Sequence, residues 1–335
     1  MVTRQKSGIP MLDIGDKIHM LGIGGTGMSG LAEVLMGMGY RVSGSDQQES
    51  ASTRRLSSCG VAIQLGHEPR LVEEARIVVY SSAVKPDNPE RARARELGIR
   101  QVRRAEIVGE LMRGRTSVGV AGTHGKTTTT SLLGSILSGS GHKPTVLAGG
   151  VMRDTGSGAV LGAGELLVVE ADEFDRSFLA MLPTIAVITN IDREHLDCYR
   201  DVEDIQDAFV AYANRVPADG CVIACTDCPL VEAILPRIQR RVVTYGTGDN
   251  ADYRLCSCVS EPDGVAFEVV GDGCALGRVR LRIPGRHNAL NALAGLVAAM
   301  ELGVPFESAA GAAAEFGGVR RRFETVGVRR GITVV

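Results

Sequence analysis

The chain has 335 residues, 44% of them hydrophobic and 23% charged, which is enough for two domains with separate cores. Its 37 Lys and Arg against 39 Asp and Glu leave no basic excess to neutralise phosphates, which argues against a dedicated nucleic-acid binder. Residues 1–16 lack the apolar centre of a signal peptide, and no apolar run reaches the roughly 18 residues of a membrane helix, so we expect a cytoplasmic protein with no membrane partner.

Short β-prone apolar runs alternate with helical segments along the chain. They lie at residues 18–21, 77–80, 117–120, 166–169 and 185–188. Strands that alternate with helices are typical of parallel sheets with helices on both faces. Between residues 253 and 283, Gly and Asp turns predict an antiparallel hairpin. The fold class is therefore α/β: a Rossmann-like parallel-sheet domain, a boundary near residue 112, and a P-loop-type domain with a small antiparallel sheet.

The first glycine-rich loop, residues 22–27, fits G-x-G-x-x-G between a strand and a helical run at 29–38. Its glycines let the backbone approach a diphosphate at the helix N-terminus, where free N–H groups and the helix dipole favour an anion. Asp46 ends the next strand, where an acid can meet ribose hydroxyls. These residues alone suit an NAD-dependent dehydrogenase or any other diphosphate binder, and a purely structural turn is the alternative.

The second glycine-rich loop, residues 120–128, follows a strand and opens a helix. Lys126 is placed to supply a point charge for the terminal phosphates of ATP, and the Thr127 hydroxyl can ligate Mg²⁺. Val120 stands where the strict G-x-x-x-x-G-K-[ST] pattern has its first glycine, so the loop effectively begins at Gly122. A chance Gly-Lys-Thr after a strand is the alternative.

Acidic residues crowd the end of the predicted strand at 166–169. They are Glu170, Asp172, Glu173 and Asp175. Clustered like charges are costly unless a cation offsets them, so this strand end predicts a site for a hard, oxygen-ligated cation, with Glu170 as the first choice of ligand. A solvated acidic turn is the alternative. His195 follows the next strand and could bind a second metal, bind a phosphoryl oxygen or be structural.

Other polar residues are less informative by themselves. The eight cysteines are too few for a disulfide scaffold, and the C-x-x-C of Cys225 and Cys228 lacks a second pair, so we expect free thiols and no structural zinc. Asn288 and Asn291, three apart on one helical face, either cap the helix or read an adenine edge. Arg321 lies in a run of three arginines. This run either forms a solvated basic turn or contacts a phosphate.

Eight segments, in the same order, resemble those of the Mur ligase family of peptidoglycan synthesis. They are GIGGTGMSGLAEVL from Gly22, SGSD from Ser43, SSAV from Ser81, AGTHGKTTTT from Ala121, VEADEFDRSFL from Val169, TNIDREHLDCY from Thr189, GRHNALNA from Gly285 and RRRFE from Arg320. The resemblance runs nearly end to end and is greatest for the alanine-adding branch. The short loop of the family also accounts for Val120 in place of glycine.

The resemblance implies an ATP- and Mg²⁺-dependent ligase. ATP would phosphorylate the carboxylate of UDP-N-acetylmuramate, and the amino group of L-alanine would attack the acyl phosphate to give an amide, ADP and phosphate. No obligate protein partner is implied. A tripeptide-adding sister ligase and a non-catalytic nucleotide-binding module are the alternatives, although the run 178–183 leading into Thr189 favours the alanine-adding branch.

The resemblance also assigns roles to individual residues. UDP-N-acetylmuramate would be bound by Gly22, Gly24, Gly25, Thr26, Gly27, Met28, Ser29, Asp46, Ser81 and Ser82. ATP would be bound by Gly122, Thr123, His124, Gly125, Lys126, Thr127, Thr128, Asn288, Asn291 and Arg321. Lys126, Glu170 and His195 would be catalytic, and Thr127, Glu170 and His195 would be the metal ligands.

The resemblance implies three domains: a UDP-sugar domain at 1–112, an ATP-binding domain at 113–320, and the start of a third at 321–335. The third domain of the family supplies amino-acid contacts and closes over ATP, so we expect this chain to bind nucleotides but to ligate poorly. Lys143 is the last lysine. A carbamylated lysine beyond Thr189, which several sister ligases use as a metal ligand, is therefore not expected.

Overall fold

The computed structural model describes residues 12–195, 197–322, 327–329 and 332–334. The chain divides into two compact units. The first comprises residues up to Arg115 together with Gly158–Leu161, and the second comprises Thr116–Ser157 and the chain from Gly162 onwards. The sequence placed the boundary near 112 and did not indicate the Gly158–Leu161 segment. The segment 321–335, expected to begin a third domain, lies partly outside the described residues.

The first unit is built on a five-stranded parallel sheet with strand order β3-β2-β1-β4-β5. Its elements are β1 (Lys17–Leu21), α1 (Thr26–Gly37), β2 (Arg41–Asp46), α2 (Ala51–Ser58), β3 (Ala62–Leu65), β4 (Ile77–Tyr80), α3 (Pro89–Glu96), β5 (Arg100–Arg103) and α4 (Arg104–Met112). The central strand β1 is buried from Ile18 to Leu21, as is typical of a parallel sheet with both faces covered. The strand order reverses beside β1, and ligands bind at such switch points of parallel sheets.

The second unit contains a larger mixed sheet. The remaining elements are β6 (Ser117–Ala121), α5 (Lys126–Gly139), β7 (Thr145–Leu147), β8 (Ala159–Val160, in the segment assigned to the first unit), β9 (Leu167–Glu170), β10 (Ile185–Ile188), α6 (Val202–Ala213), β11 (Cys221–Cys225), α7 (Pro229–Glu232), β12 (Arg241–Gly246), β13 (Tyr253–Glu261), β14 (Gly264–Gly271), β15 (Cys274–Leu281), α8 (Arg286–Glu301), α9 (Phe306–Ala314), β16 (Gly327–Arg329) and β17 (Ile332–Val334).

The strands of the second unit run in the order β15-β14-β13-β12-β11-β10-β6-β9-β7. The strands from β13 to β7 pair in parallel, whereas β14 and β15 are antiparallel. The α/β class and the antiparallel region are confirmed, but that region is a three-stranded meander and not a single hairpin. A separate antiparallel pair joins β16 to β17.

Helix α5 follows the second glycine-rich loop and is almost wholly buried. It opens with four threonines, which are poor helix formers because their branched side chains are stiff. Tertiary packing stabilises it: Gly295 of α8 comes so close that a Cβ there would lie 3.1 Å from Leu132.

All eight cysteines are free thiols. In the described part of the chain, no helix is long and apolar enough to cross a bilayer.

Candidate functional site

The first glycine-rich loop makes a tight turn between β1 and α1. Gly22 has a φ of 74°, a left-handed conformation that favours glycine, and its carbonyl accepts from the Gly25 N–H at 3.2 Å. Gly25 is the N-cap of α1, and no side chain of the described residues caps it. The first N–H groups of α1 are therefore open to an anion.

Asp46 braces this loop. One of its carboxylate oxygens, Oδ2, accepts from the Gly24 N–H at 2.8 Å, and the other, Oδ1, accepts from the Gln48 N–H at 3.3 Å. A Cβ at Gly24 would lie 2.9 Å from Oδ2, so the contact requires glycine. Each carboxylate oxygen has a second lone pair, which leaves Asp46 able to accept from a ribose hydroxyl as well.

A cavity of about 760 Å³ opens at this end of the first sheet. Its lining includes Gly22, Gly24, Gly25, Asp46 and Ser81 from the predicted UDP-sugar set. Thr26, Gly27, Met28, Ser29 and Ser82 do not line it. The side chains of Met28 and Ser29 are buried, so these two residues could meet a ligand only through their backbone. His67 also lines the cavity, and the sequence did not single it out.

Arg104, at the start of α4, is a second residue that the sequence analysis missed. Its guanidinium lies against the N-terminus of α1: a Cβ at Gly27 would be 2.8 Å from Nη1. The side chain is half-buried and has no hydrogen-bond or ion-pair partner among the described residues. A cation beside open helix N–H groups adds to their attraction for a diphosphate. No local motif marks this arginine, because α4 is remote from the loop in sequence.

The second glycine-rich loop depends on two glycines with positive φ. Gly122 has φ 140° and Gly125, the N-cap of α5, has φ 83°. A Cβ at Gly122 would lie 2.0 Å from Thr189 Oγ1, and one at Gly125 would lie 2.4 Å from Asn291 Oδ1. Glycine is therefore required at both positions by conformation and by space.

Residues that follow β10 hold the outer part of this loop. Asn190 accepts from the His124 N–H through Oδ1 at 2.7 Å, and Thr189 donates from Oγ1 to the His124 carbonyl at 2.6 Å. Thr123 Oγ1 accepts from the Asp192 N–H at 2.9 Å. The Thr-Asn-Ile-Asp segment therefore works as a scaffold for the second glycine-rich loop, which its sequence did not reveal.

Lys126 is bound to its own loop and to one acid. Its Nζ donates to the carbonyls of Gly122 at 2.7 Å and Thr123 at 3.3 Å, and to Glu173 Oε1 at 2.9 Å and Oε2 at 2.7 Å. Glu173 is only 1% exposed. Burial raises the pKa of Glu173 above its ordinary value, although the Lys126 ammonium partly offsets this shift. Glu170 is the predicted metal ligand of the acidic cluster, and Glu173 is the acid of that cluster that binds Lys126 directly.

Thr127 and Glu170 come together beside Lys126. Thr127 Oγ1 donates to Glu170 Oε1 at 3.2 Å, and the Gly149 N–H donates to Glu170 Oε2 at 2.6 Å. Adjacent hydroxyl and carboxylate oxygens fit a hard cation such as Mg²⁺. In the described residues, no three His, Cys, Asp or Glu side chains form a metal site. A cation here would take its other ligands from phosphate oxygens and water, as Mg²⁺ usually does.

His195 lies next to Glu173. It has a left-handed backbone with φ 57°, and its Nε2 is 3.5 Å from Glu173 Oε1. The Phe174 ring meets the imidazole edge-on, with ring centroids 5.1 Å apart. The structure therefore brings Thr127 and Glu170 into one contact and His195 and Glu173 into another, with Lys126 bonded to Glu173.

A cavity of about 770 Å³ lies over this end of the second sheet. Its lining includes, from the predicted ATP set, Thr123, His124, Gly125, Lys126, Thr127, Thr128, Asn288, Asn291 and Arg321, and also Glu170. Gly122 and His195 do not line it.

Gly285, and not Asn288, is the N-cap of α8. Asn288 Nδ2 donates to the Pro284 carbonyl at 2.6 Å. Asp227 and Tyr245 also line the cavity and were not foreseen.

Sequence comparison identifies relatives for both units. The Mur ligase family catalytic domain matches residues 17–116, and the Mur ligase middle domain matches residues 120–299. The chain is 51% identical over 320 residues to UDP-N-acetylmuramate--L-alanine ligase of Solidesulfovibrio magneticus, covering 95% of this chain and 70% of that protein. It is 49% identical over 319 residues to the same ligase of Myxococcus xanthus, covering 95% of this chain and 68% of that protein.

Solved structures agree with the sequence comparison. UDP-N-acetylmuramate-alanine ligase MurC from Thermotoga maritima superposes with a TM-score of 0.84 at 30% identity, covering 94% of this chain and 71% of that one. The UDP-N-acetylmuramate:L-alanyl-gamma-D-glutamyl-meso-diaminopimelate ligase (MPL) from Neisseria meningitides gives the same TM-score and identity, covering 92% of this chain and 100% of that one. The chain therefore belongs to the Mur ligase family.

Proposed function

We propose that this protein joins L-alanine to UDP-N-acetylmuramate at the expense of ATP, in the cytoplasm and without an obligate protein partner. The proposal is supported by 47–51% identity to alanine-adding ligases, of which the chain spans 67–70% of the length. The structural observation that carries it is the start of α5, where Lys126 and the Thr127–Glu170 contact line one cavity.

The chemistry requires two anions to meet. An oxygen of the muramate carboxylate attacks the γ-phosphorus of ATP, ADP leaves, and an acyl phosphate forms. The amine of L-alanine then attacks the acyl carbon, and inorganic phosphate leaves as the amide forms with loss of a proton. Repulsion between carboxylate and triphosphate opposes the first step, so positive charge at the transferring phosphoryl group stabilises its transition state.

The residues of the second unit match these needs. The backbone of residues 122–128 would cradle the phosphates, and the Lys126 ammonium would bind the oxygens that gain charge. Thr127 and Glu170 would hold Mg²⁺, and His195 a second ion. The metal, when bound, would neutralise phosphate charge. Asn288 and Asn291 would face adenine, and Arg321 would contact phosphate.

The first unit would bind the UDP moiety. Gly22, Gly24 and Gly25 would bring the backbone close to the diphosphate, with the N–H groups of α1 pointing at it. Asp46 would accept from a ribose hydroxyl, and Ser81 lies beside Gly22 because β1 and β4 are neighbours. The identity of this nucleotide as a UDP-sugar is inferred from the relatives.

Replacing Arg104 by alanine should weaken UDP-N-acetylmuramate binding at least tenfold, because a charge-assisted hydrogen bond contributes roughly 1.5–3 kcal/mol. Calorimetric titration would measure it. Arg100→Ala, an exposed arginine of β5 in the same unit, should leave the affinity within twofold. Equal affinities for the Arg104→Ala variant and the unaltered chain would remove Arg104 from the site. ATP binding should not change in either variant.

The proposed function is tested by binding and turnover together. We expect the chain to bind ATP with Mg²⁺ and to bind UDP-N-acetylmuramate, and not to bind NADH. Any ADP release should require both L-alanine and the sugar nucleotide and should stop when EDTA removes the metal. Binding of NADH without binding of the sugar nucleotide would favour the dehydrogenase instead.

A tripeptide-adding ligase is the second candidate. It is favoured by one observation, the full coverage of the MPL chain at a TM-score of 0.84. The two activities share the UDP-sugar and ATP and differ in the amine substrate. Comparing ADP release with L-alanine and with L-alanyl-γ-D-glutamyl-meso-diaminopimelate decides between them, and the higher identity to alanine ligases leads us to expect L-alanine.

A further inference from the structure

Glu173 is a buried acid that has no part in the roles assigned above. It lies in the loop after β9, three residues beyond Glu170, and its side chain is 2% exposed. Both carboxylate oxygens bind Lys126 Nζ, at 2.9 and 2.7 Å. Burying an acid so completely is costly unless a partner is fixed against it. The Glu173–Lys126 pair is therefore a built feature of the phosphate loop.

The backbone beneath this acid is held firmly. The Glu173 carbonyl accepts from the Tyr199 hydroxyl at 2.6 Å and from the Arg176 N–H at 3.0 Å. The Arg176 guanidinium pairs with Asp204 and lies over the Tyr199 ring, 4.7 Å from its centroid. Hydrogen bonds from the Arg200 N–H and from the Arg176 and Arg200 side chains lower the pKa of Asp204 to about 2. The Asp204 carboxylate that holds Arg176 therefore stays charged. Glu173 thus cannot easily follow Lys126 if the lysine moves.

The ammonium of Lys126 has no donor to spare. It carries three N–H groups, and four oxygens already lie within bonding distance: the Gly122 and Thr123 carbonyls and the two oxygens of Glu173. A phosphate oxygen can bind Lys126 only if one of these contacts is given up or shared. The carboxylate is the strongest competitor, because it supplies two of the four oxygens and these two are the charged ones.

We propose that Glu173 is a positioning residue that holds Lys126 across the phosphate loop and competes with the ATP phosphates for its ammonium. This inference rests on the proposed function. The acid lowers the affinity for bound ATP and keeps the lysine oriented for the charge that grows during phosphoryl transfer. Interactions that are weaker in the ground state than in the transition state raise turnover, whereas uniform binding does not.

Glu173→Gln tests this with little change of size. We expect the variant to bind the non-hydrolysable analogue AMP-PNP three- to tenfold more tightly by calorimetry, because the competing charge is gone. AMP, which lacks the phosphates that reach Lys126, should bind within twofold of its original affinity. Where turnover is measured, the KM for ATP should fall and kcat should fall at least tenfold. A purely structural acid would instead weaken both ligands.

Asp172→Asn is the matched control. Asp172 Oδ1 lies 3.8 Å from the same Nζ, but its side chain is 44% exposed, so water screens its charge and AMP-PNP affinity should change less than twofold. Glu173→Asp, which keeps the charge, should bind AMP-PNP less tightly than Glu173→Gln. Thermal unfolding shows whether each variant is folded. If Glu173→Gln is misfolded, Glu173→Asp is compared with the unaltered chain instead: its shorter side chain loosens the contact with Lys126, so AMP-PNP should bind more tightly while AMP affinity stays the same, and unchanged or weaker AMP-PNP affinity would overturn the competition.

The outcomes separate this inference from the function beneath it. If the unaltered chain binds neither AMP-PNP nor AMP, the proposed function fails and this inference fails with it. If the unaltered chain binds both ligands and Glu173→Gln shows unchanged or weaker AMP-PNP affinity, the competition is absent and only this inference is overturned. A gain in affinity that is equal for AMP and AMP-PNP also overturns it, because AMP does not involve Lys126.

Discussion

Lys126→Ala should weaken the binding of AMP-PNP roughly 30- to 150-fold. In the proposed function Lys126 supplies the charged donor of the loop at residues 122–128 to the terminal phosphates, and losing such a contact costs about 2–3 kcal/mol. Its removal also leaves the Glu173 carboxylate facing the ligand, which adds repulsion. Calorimetry measures the affinity, and Lys143→Ala, an exposed lysine just beyond α5, should leave it unchanged.

The same substitution should also reduce stability. Breaking a buried ion pair by removing one partner costs about 3–5 kcal/mol, because the remaining charge is left buried without compensation. Lys126 is 12% exposed and Glu173 is 2% exposed, so we expect a loss near the lower limit in urea unfolding. AMP-PNP affinity within threefold of the unaltered chain would contradict the assigned role of Lys126 and support a non-catalytic module.

A double variant separates the two effects. Lys126→Ala combined with Glu173→Gln removes both charges, and exchanging a buried pair for neutral groups is often close to neutral for stability. The double variant should regain most of the stability that Lys126→Ala loses. Its affinity for AMP-PNP should remain at least 30-fold weaker than that of Glu173→Gln alone, because the phosphate-binding cation is still missing.

Local signals account for what the sequence predicted correctly. The apolar runs at 18–21 and 117–120 became the buried strands β1 and β6, each followed by glycines that permit a sharp turn into a helix. These features depend on a few neighbouring residues and on the general preference of ligands for the carboxyl ends of parallel strands. The fold class and the positions of the two glycine-rich loops could therefore be predicted.

The missed contacts join residues that are far apart in sequence. Glu173 reaches Lys126 across 47 positions, and Asn190 reaches His124 across 66. Arg104 meets the first glycine-rich loop from another helix. A cluster of four acids indicates a charged site but not which acid will face a lysine, since that depends on how the loop after β9 folds against Tyr199.

Gly122→Ala tests how far the phosphate loop depends on its support. At φ 140° an alanine is strained by about 1–2 kcal/mol. Its Cβ would also lie 2.0 Å from Thr189 Oγ1 and 3.0 Å from the Asn190 carbonyl, so the loop or the segment that supports it must shift. Overpacking of this kind adds about 1–3 kcal/mol. We expect a stability loss of about 3 kcal/mol and at least a hundredfold weaker binding of AMP-PNP.

Gly141→Ala separates strain from collision. Gly141 also has a positive φ, 87°, but a Cβ there would meet nothing within 4 Å, so only the conformational cost of about 1–2 kcal/mol applies. Its AMP-PNP affinity should be unchanged. If both variants lose the same stability and both keep nucleotide binding, the bonds from Thr189 and Asn190 do not shape the phosphate loop. A selective loss at Gly122 would show that the segment after β10 sets the geometry in which Lys126 meets phosphate.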